Sequence, residues 1–174
     1  MRNLIMIFIC SLGLNAAGLS LPEHFKADFT QKITNPKKKV ITYKGKVYFS
    51  HKSMFKWDYT VPTKKQVCTD GYELTVVDHD LEQVSQYAID KGFHFSKVLE
   101  KAKRHKKNVY VAKYENKSYT IQVDASQKLH SIAYFDDLDN KVQIIFKKVK
   151  YAKGNLSKKI MTCKIPKAYD MIRG

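Results

Sequence analysis

Apolar and polar residues alternate along most of this chain. Phe25, Ala27, Phe29 and Ile33 fall on one side of an extended segment, and Lys26, Asp28, Thr30 and Lys32 on the other. Such alternation predicts a half-buried strand, and Asn35-Pro36 marks the turn that follows. Val40 to Ser50 repeats the pattern, with Val47 and Phe49 on one face and Lys46 and Tyr48 on the other. Phe55, Trp57 and Tyr59 then alternate with Lys56, Asp58 and Thr60 up to Pro62. Gln66 to Thr69, the Asp70-Gly71 turn and Tyr72 to Val77 read as a hairpin. Leu81 to Ile89 carries a weaker strand signal.

The period changes at Phe95. Apolar residues at Phe95, Val98, Leu99 and Ala102 predict an amphipathic helix, with Ser96 as its N-cap and the run Lys103-Arg104-His105-Lys106-Lys107 at its C-terminal end. Four strand-like segments follow: Asn108 to Tyr114, Ser118 to Val123, Lys128 to Phe135 and Lys141 to Tyr151. Ile160 to Ile165 is expected to be the last strand, before Pro166. Many short strands at this spacing around one helix predict a mainly β chain, folded as an antiparallel sheet or barrel. No repeat or low-complexity linker divides residues 19–174, so they are read as one domain.

The first 18 residues are set apart. Arg2 precedes an apolar run from Leu4 to Leu14, and small residues follow at Ala16, Ala17 and Gly18. That is the layout of a secretory signal peptide, and the run is short for a membrane span. Export changes how the charge is read. The 32 basic residues against 16 acidic ones suggest nucleic acid, an anionic membrane surface or acidic partners; an exported chain sets nucleic acid aside. Cys10 lies in the leader, and Cys68 and Cys163 are left either as one disulfide or as two buried thiols.

Catalytic signatures are missing: there is no G-x-S-x-G, H-E-x-x-H or phosphate-binding glycine loop. Asp78-His79-Asp80 with Glu82 is a dense polar cluster, but turn chemistry accounts for it better than a metal site. No catalytic residue, metal or cofactor is therefore expected. Lys101 to Lys107 could touch anionic headgroups or a partner, or form a solvated helix end. Rings and aliphatics recur on one face of strand after strand, at Phe29, Val47, Phe49, Phe55, Trp57, Tyr59 and Val76. Each alone reads as core. Together, on a sheet curled around a single helix, they suggest a concave apolar site with a mobile cover.

Four blocks carry a family resemblance: FKADFTQKI, GKVYF, MFKWDYTVP and CTDGYELTVVDHDLEQV. In this order and spacing, from Phe25 to Gln83, the chain resembles the LolA family of periplasmic lipoprotein carriers. The resemblance implies an unclosed antiparallel β-barrel (LolA-like) with a helical lid. It implies a monomeric chaperone that shields lipoprotein acyl chains, takes them from the inner-membrane ABC transporter LolCDE and passes them to LolB or another outer-membrane acceptor. The alternative it leaves open is a carrier or sensor for another lipid or lipid-modified ligand. Phe55 and Trp57 match the family's F-x-W; Phe29, Ile33, Val47, Phe49, Tyr59, Val67 and Val76 stand where interior apolar residues are expected to meet the chains. Phe95, Val98, Leu99 and Ala102 would form the lid's inner face. Two departures stand out. His51-Lys52 occupies the place of the family's Arg-Pro, making those residues the latch candidates, and little chain separates Gly18 from Phe25 to hold an N-terminal lid helix.

Overall fold

The computed structural model describes residues 19, 22–50, 53–89 and 95–174. The leader assigned to residues 1–18 and the latch candidates His51 and Lys52 lie outside the described residues.

Twelve strands form one sheet among the described residues, in the order β12-β6-β5-β4-β3-β2-β1-β11-β10-β9-β8-β7. The first six are β1 (His24–Thr34), β2 (Val40–Ser50), β3 (Met54–Val61), β4 (Lys65–Thr69), β5 (Glu73–Asp78) and β6 (Gln83–Ala88). Helix α1 (Phe95–Glu100) follows. The second run is β7 (Lys103–Lys106), β8 (Val109–Tyr114), β9 (Lys117–Val123), β10 (Leu129–Phe135) and β11 (Lys141–Ala152). Helix α2 (Lys158–Met161) and strand β12 (Asp170–Arg173) close the chain. All pairings are antiparallel except β12 on β6. The sheet ends at β12 and β7 rather than pairing them, so it curls without closing.

The hairpin chemistry is local. Asp70 Oδ1 accepts the backbone N–H groups of Tyr72 and Glu73, and Gly71 takes a φ of +100° that suits glycine. These two hydrogen bonds hold the Asp70 carboxyl below its usual range. The Asp78-His79-Asp80 cluster is a turn: Asp78 Oδ1 accepts the N–H of Asp80 and Leu81, and Lys65 pairs with Asp78 at 3.0 Å. Gly45 has a different reason. A Cβ there would stand 2.0 Å from the Asp58 carbonyl oxygen and 3.0 Å from the Phe29 ring. Only glycine lets β2, β3 and that ring come so close.

Three expectations are corrected. The helix stops at Glu100, where the N–H of Ala102 turns back to the Leu99 carbonyl. Lys103 to Lys106 then form β7, because pairing Lys103 with Val111 of β8 satisfies the backbone better than another exposed helical turn. Ser96 is inside α1 and is not its N-cap. Ile160 to Ile165 is not a strand. Its first part is α2, which buries Met161, and the rest crosses the outside of the sheet. There its polar groups meet side chains: Lys164 N–H donates to Gln66, and the Lys56 ammonium donates to the Thr162 carbonyl at 3.1 Å. Cys163 is bonded to Cys68 of β4, which decides between the two readings of those cysteines.

Candidate functional site

Residues on the inner face of β3 stand on the same side as their partners on β2 and β4, because antiparallel partners share a face. Phe55 pairs with Phe49, Trp57 with Val47 and Val67, and Val67 in turn with Val76. This row of rings and aliphatics curves around an apolar cavity of about 330 Å³. Phe55, Trp57, Tyr59 and Val67 line it, with Phe95 of α1 as cover. The Phe95 ring meets Phe55 edge-on, with centroids 5.3 Å apart. Helix α1 is pinned by Val98, Leu99 and the following Ala102, all buried.

The other expected wall residues are packed behind it. Phe29 supports Trp57 and Tyr59 edge-on at 4.8 and 5.1 Å. Val47 and Phe49 are fully enclosed in the core, and Ile33 packs against that core half-buried. Val76 shares the inner face with Val67 but does not reach the cavity. The structure therefore brings four of the nine to the cavity and gives most of the rest the role of shaping it.

The far wall was not assigned from the sequence. Ile132 and Tyr134 of β10 and Ile144 and Phe146 of β11 line it, as do Leu74 and Ile89 on the near side. The signal for the four residues of β10 and β11 was present as alternation in two predicted strands, but those strands lie beyond the block that resembles the family. Polar groups are few. Gln31 and Thr69 reach the lining, and the Tyr59 hydroxyl donates to Gln31 Oε1 at 3.2 Å. Burial pushes the Tyr134 phenol up to about 12 and the Tyr59 phenol higher still. Both stay neutral at physiological pH. Among the described residues, no carboxylate, ammonium or imidazole joins the lining. The site can hold apolar groups by excluding water, and its polar atoms are already occupied or sparse.

The model for "Outer membrane lipoprotein carrier protein LolA" matches residues 21–160. The chain belongs to the LolA family. It is 33% identical over 175 residues to an outer-membrane lipoprotein carrier protein of Campylobacter jejuni, covering 99% of this chain and all of that one. A carrier of the same description from Helicobacter hepaticus is 28% identical over 99% of this chain and 96% of its own length. Among solved structures, an uncharacterized conserved protein of Thermus thermophilus shares the fold with a TM-score of 0.57 at 10% identity, over 88% of this chain and 92% of that one. Within the LolA family, the F-x-W of this chain is the near wall of a cavity, and its T-D-G is a hairpin turn.

Proposed function

We propose that this LolA-family chain is a periplasmic carrier of lipoproteins. It shelters acyl chains against the inner face of the sheet on their way from LolCDE to LolB or an equivalent outer-membrane acceptor. The observation that carries this reading is the cavity itself: among the described residues it is mostly aromatic and aliphatic, no ionisable carboxylate, ammonium or imidazole lines it, and Phe95 of a short helix covers it. Family membership and the names of the two bacterial relatives support the same cargo class.

The energetics suit carriage. Each methylene kept from water is worth about 0.8 kcal/mol, so an acylated protein does not leave a membrane unaided. A cavity near the small end of the roughly 300–1,000 Å³ range for small-ligand sites holds only part of such a load. Loading then requires α1 to move off Phe55, which parts the edge-on contact of Phe95 with that ring. The same economy lets the cargo leave. His51 and Lys52 are proposed as the latch that sets how readily this happens.

The direct test is release of an acylated lipoprotein from spheroplasts by the purified protein, and failure to release it would overturn the reading. Phe55→Glu places a charge on the wall beneath Phe95. It should lower release at least tenfold, since a buried carboxylate is poorly tolerated beside acyl chains, while the β-rich circular dichroism spectrum is kept. Mass spectrometry of co-purifying material separates a lipoprotein load from a free lipid.

A further inference from the structure

The outside of the sheet has two parts. Over β3 to β6, and at the Ser50 end of β2, it lies under the C-terminal segment; over the rest of β2, β1 and β11 it is open and basic. Lys44 and Lys46 pair with Thr30 and Asp28, and Lys147 and Lys150 pair with Asp28 and Lys26, which sets all of them on the outer face with Lys32. Strand β11 adds one more. Strict alternation would turn Lys148 inward, two residues after the cavity-lining Phe146. Instead the register shifts between Lys26 and Asp28, Lys148 takes a φ of +52°, and its Nζ lies 3.3 Å from Asp28. This bulge sends two successive lysines outward. Apart from half-buried Lys26, these lysines are exposed. Asp28 and Asp58 are the acidic groups facing outward on β1, β2, β3 and β11.

At one end the basic face meets an apolar rim. Val40 and Phe135 pair with Thr34 and Lys141, which are themselves partners, so the four form a row across neighbouring strands. Val40 is 56% exposed, Phe135 60%, and Leu138 in the adjoining turn 76%. Two carboxylates of that turn are engaged: Asp136 accepts the N–H groups of Leu138 and Asn140, and Asp137 pairs with Lys117 at 2.8 Å. Asp139 remains beside them.

We propose that this outer face binds the headgroups of an anionic bilayer, with Val40, Phe135 and Leu138 entering the interface. Lysine, a compact and strongly hydrated point charge, suits a headgroup layer; protein interfaces favour arginine and aromatics and are depleted in lysine. Among the described residues the arginines are Arg104 of β7 and Arg173 of β12, and neither is on this face. A basic face with an apolar rim is also how peripheral segments attach to anionic membranes. Membrane contact on the outer face leaves the cavity on the inner face free, so attachment and loading do not compete. The inference stands apart from the identity of the cargo.

The test is flotation of protein recovered from the periplasm with phosphatidylglycerol/phosphatidylcholine vesicles and with pure phosphatidylcholine vesicles. Binding is expected to the first only, weakening as salt rises through about 150 mM, where the screening length is about 8 Å. Lys46→Glu, Lys147→Glu and Lys150→Glu should each weaken it at least about fivefold, and together at least about 100-fold. Reversing Lys103, Lys106 and Lys107 changes net charge equally away from this face and should cost less than about tenfold. Phe135→Ser with Leu138→Ser should remove the binding that survives salt. No binding to anionic vesicles overturns the proposal. So does equal loss in both triple variants, which would mean net charge rather than this face. Binding to polyglutamate without binding to vesicles also overturns it, in favour of an acidic protein partner.

Discussion

Neighbouring residues on β3 and β4 meet two unlike environments. Inward, Trp57 and Val67 are half-buried at the centre of a twelve-stranded sheet, because the space before them is not filled. Outward, a lysine is nearly sealed: Lys56 is only 6% exposed, and burial lowers its pKa while Thr162 takes its ammonium. Val77 and Val84, on that same outer side, are fully buried. A sheet that faces water on one side normally packs its apolar face and wets the other. Over β3 to β6 this order is changed. The outer side is closed by the C-terminal segment, and the inner side is kept partly open. The lesson is that the rigid support of the cavity wall comes from behind it.

Breaking the closure should have the largest effect. Cys68 and Cys163 join positions 95 residues apart. Replacing both with serine should lower stability by about 2–5 kcal/mol in denaturant titration. Amide exchange should rise on β4 to β6 before it rises on β9 to β11. If exchange rises evenly, the C-terminal segment is not what stiffens the near wall.

Gly45→Ala comes next. The added methyl has no room beside the Asp58 carbonyl, so β2 and β3 must shift. The expected loss is about 1–3 kcal/mol, with a change in the near-ultraviolet signal of Trp57, since Phe29 rests against both Gly45 and Trp57. An unchanged signal would mean the strands separate without disturbing the wall.

How much of this was legible in the sequence follows from range. Strands β1 to β5 and β8 to β11 were readable because alternation and an Asp-Gly turn are local. So was the inward facing of Phe55, Trp57 and Tyr59. The fate of Lys103 to Lys106 was not, because four consecutive basic residues suit a helix end as well as an exposed edge strand, and only β8 decides between them. The C-terminal segment misled for a similar reason. Ile160 to Ile165 has strand composition, but its partners are side chains of β3 and β4, roughly a hundred residues earlier. Of the cavity, the near wall was visible and the far wall was not, since no local feature says that Ile132 and Ile144 line the same space as Trp57.

A matched pair sharpens the comparison at moderate cost. Val77 is fully enclosed on the outer side, whereas Val67, one residue from its partner Gln66, lines the cavity. Val77→Ala should cost about 1.5–3 kcal/mol, the value of a buried aliphatic side chain. Val67→Ala should cost clearly less and enlarge the space available to a ligand. Equal losses would mean that the cavity wall is packed like ordinary core.

The smallest expected effect tests the turn that joins β4 to β5, between the two environments. Asp70 is held below its usual carboxylate range by the N–H groups of Glu73 and Tyr72. A carboxyl with a folded pKa below its unfolded value binds fewer protons when folded, so it adds stability above about pH 4, the unfolded value, and loses it as pH falls through the folded one. Asp70→Ala should therefore cost about 1 kcal/mol at neutral pH and less in strong acid, where the wild-type carboxyl is protonated as well. Urea titrations of the two proteins at pH values on either side of the carboxylate range check this directly. A difference that stays constant across the range would show that the turn is held by Gly71 and the Thr69 hydroxyl, which accepts the Gly71 N–H at 2.9 Å, rather than by the charge on Asp70.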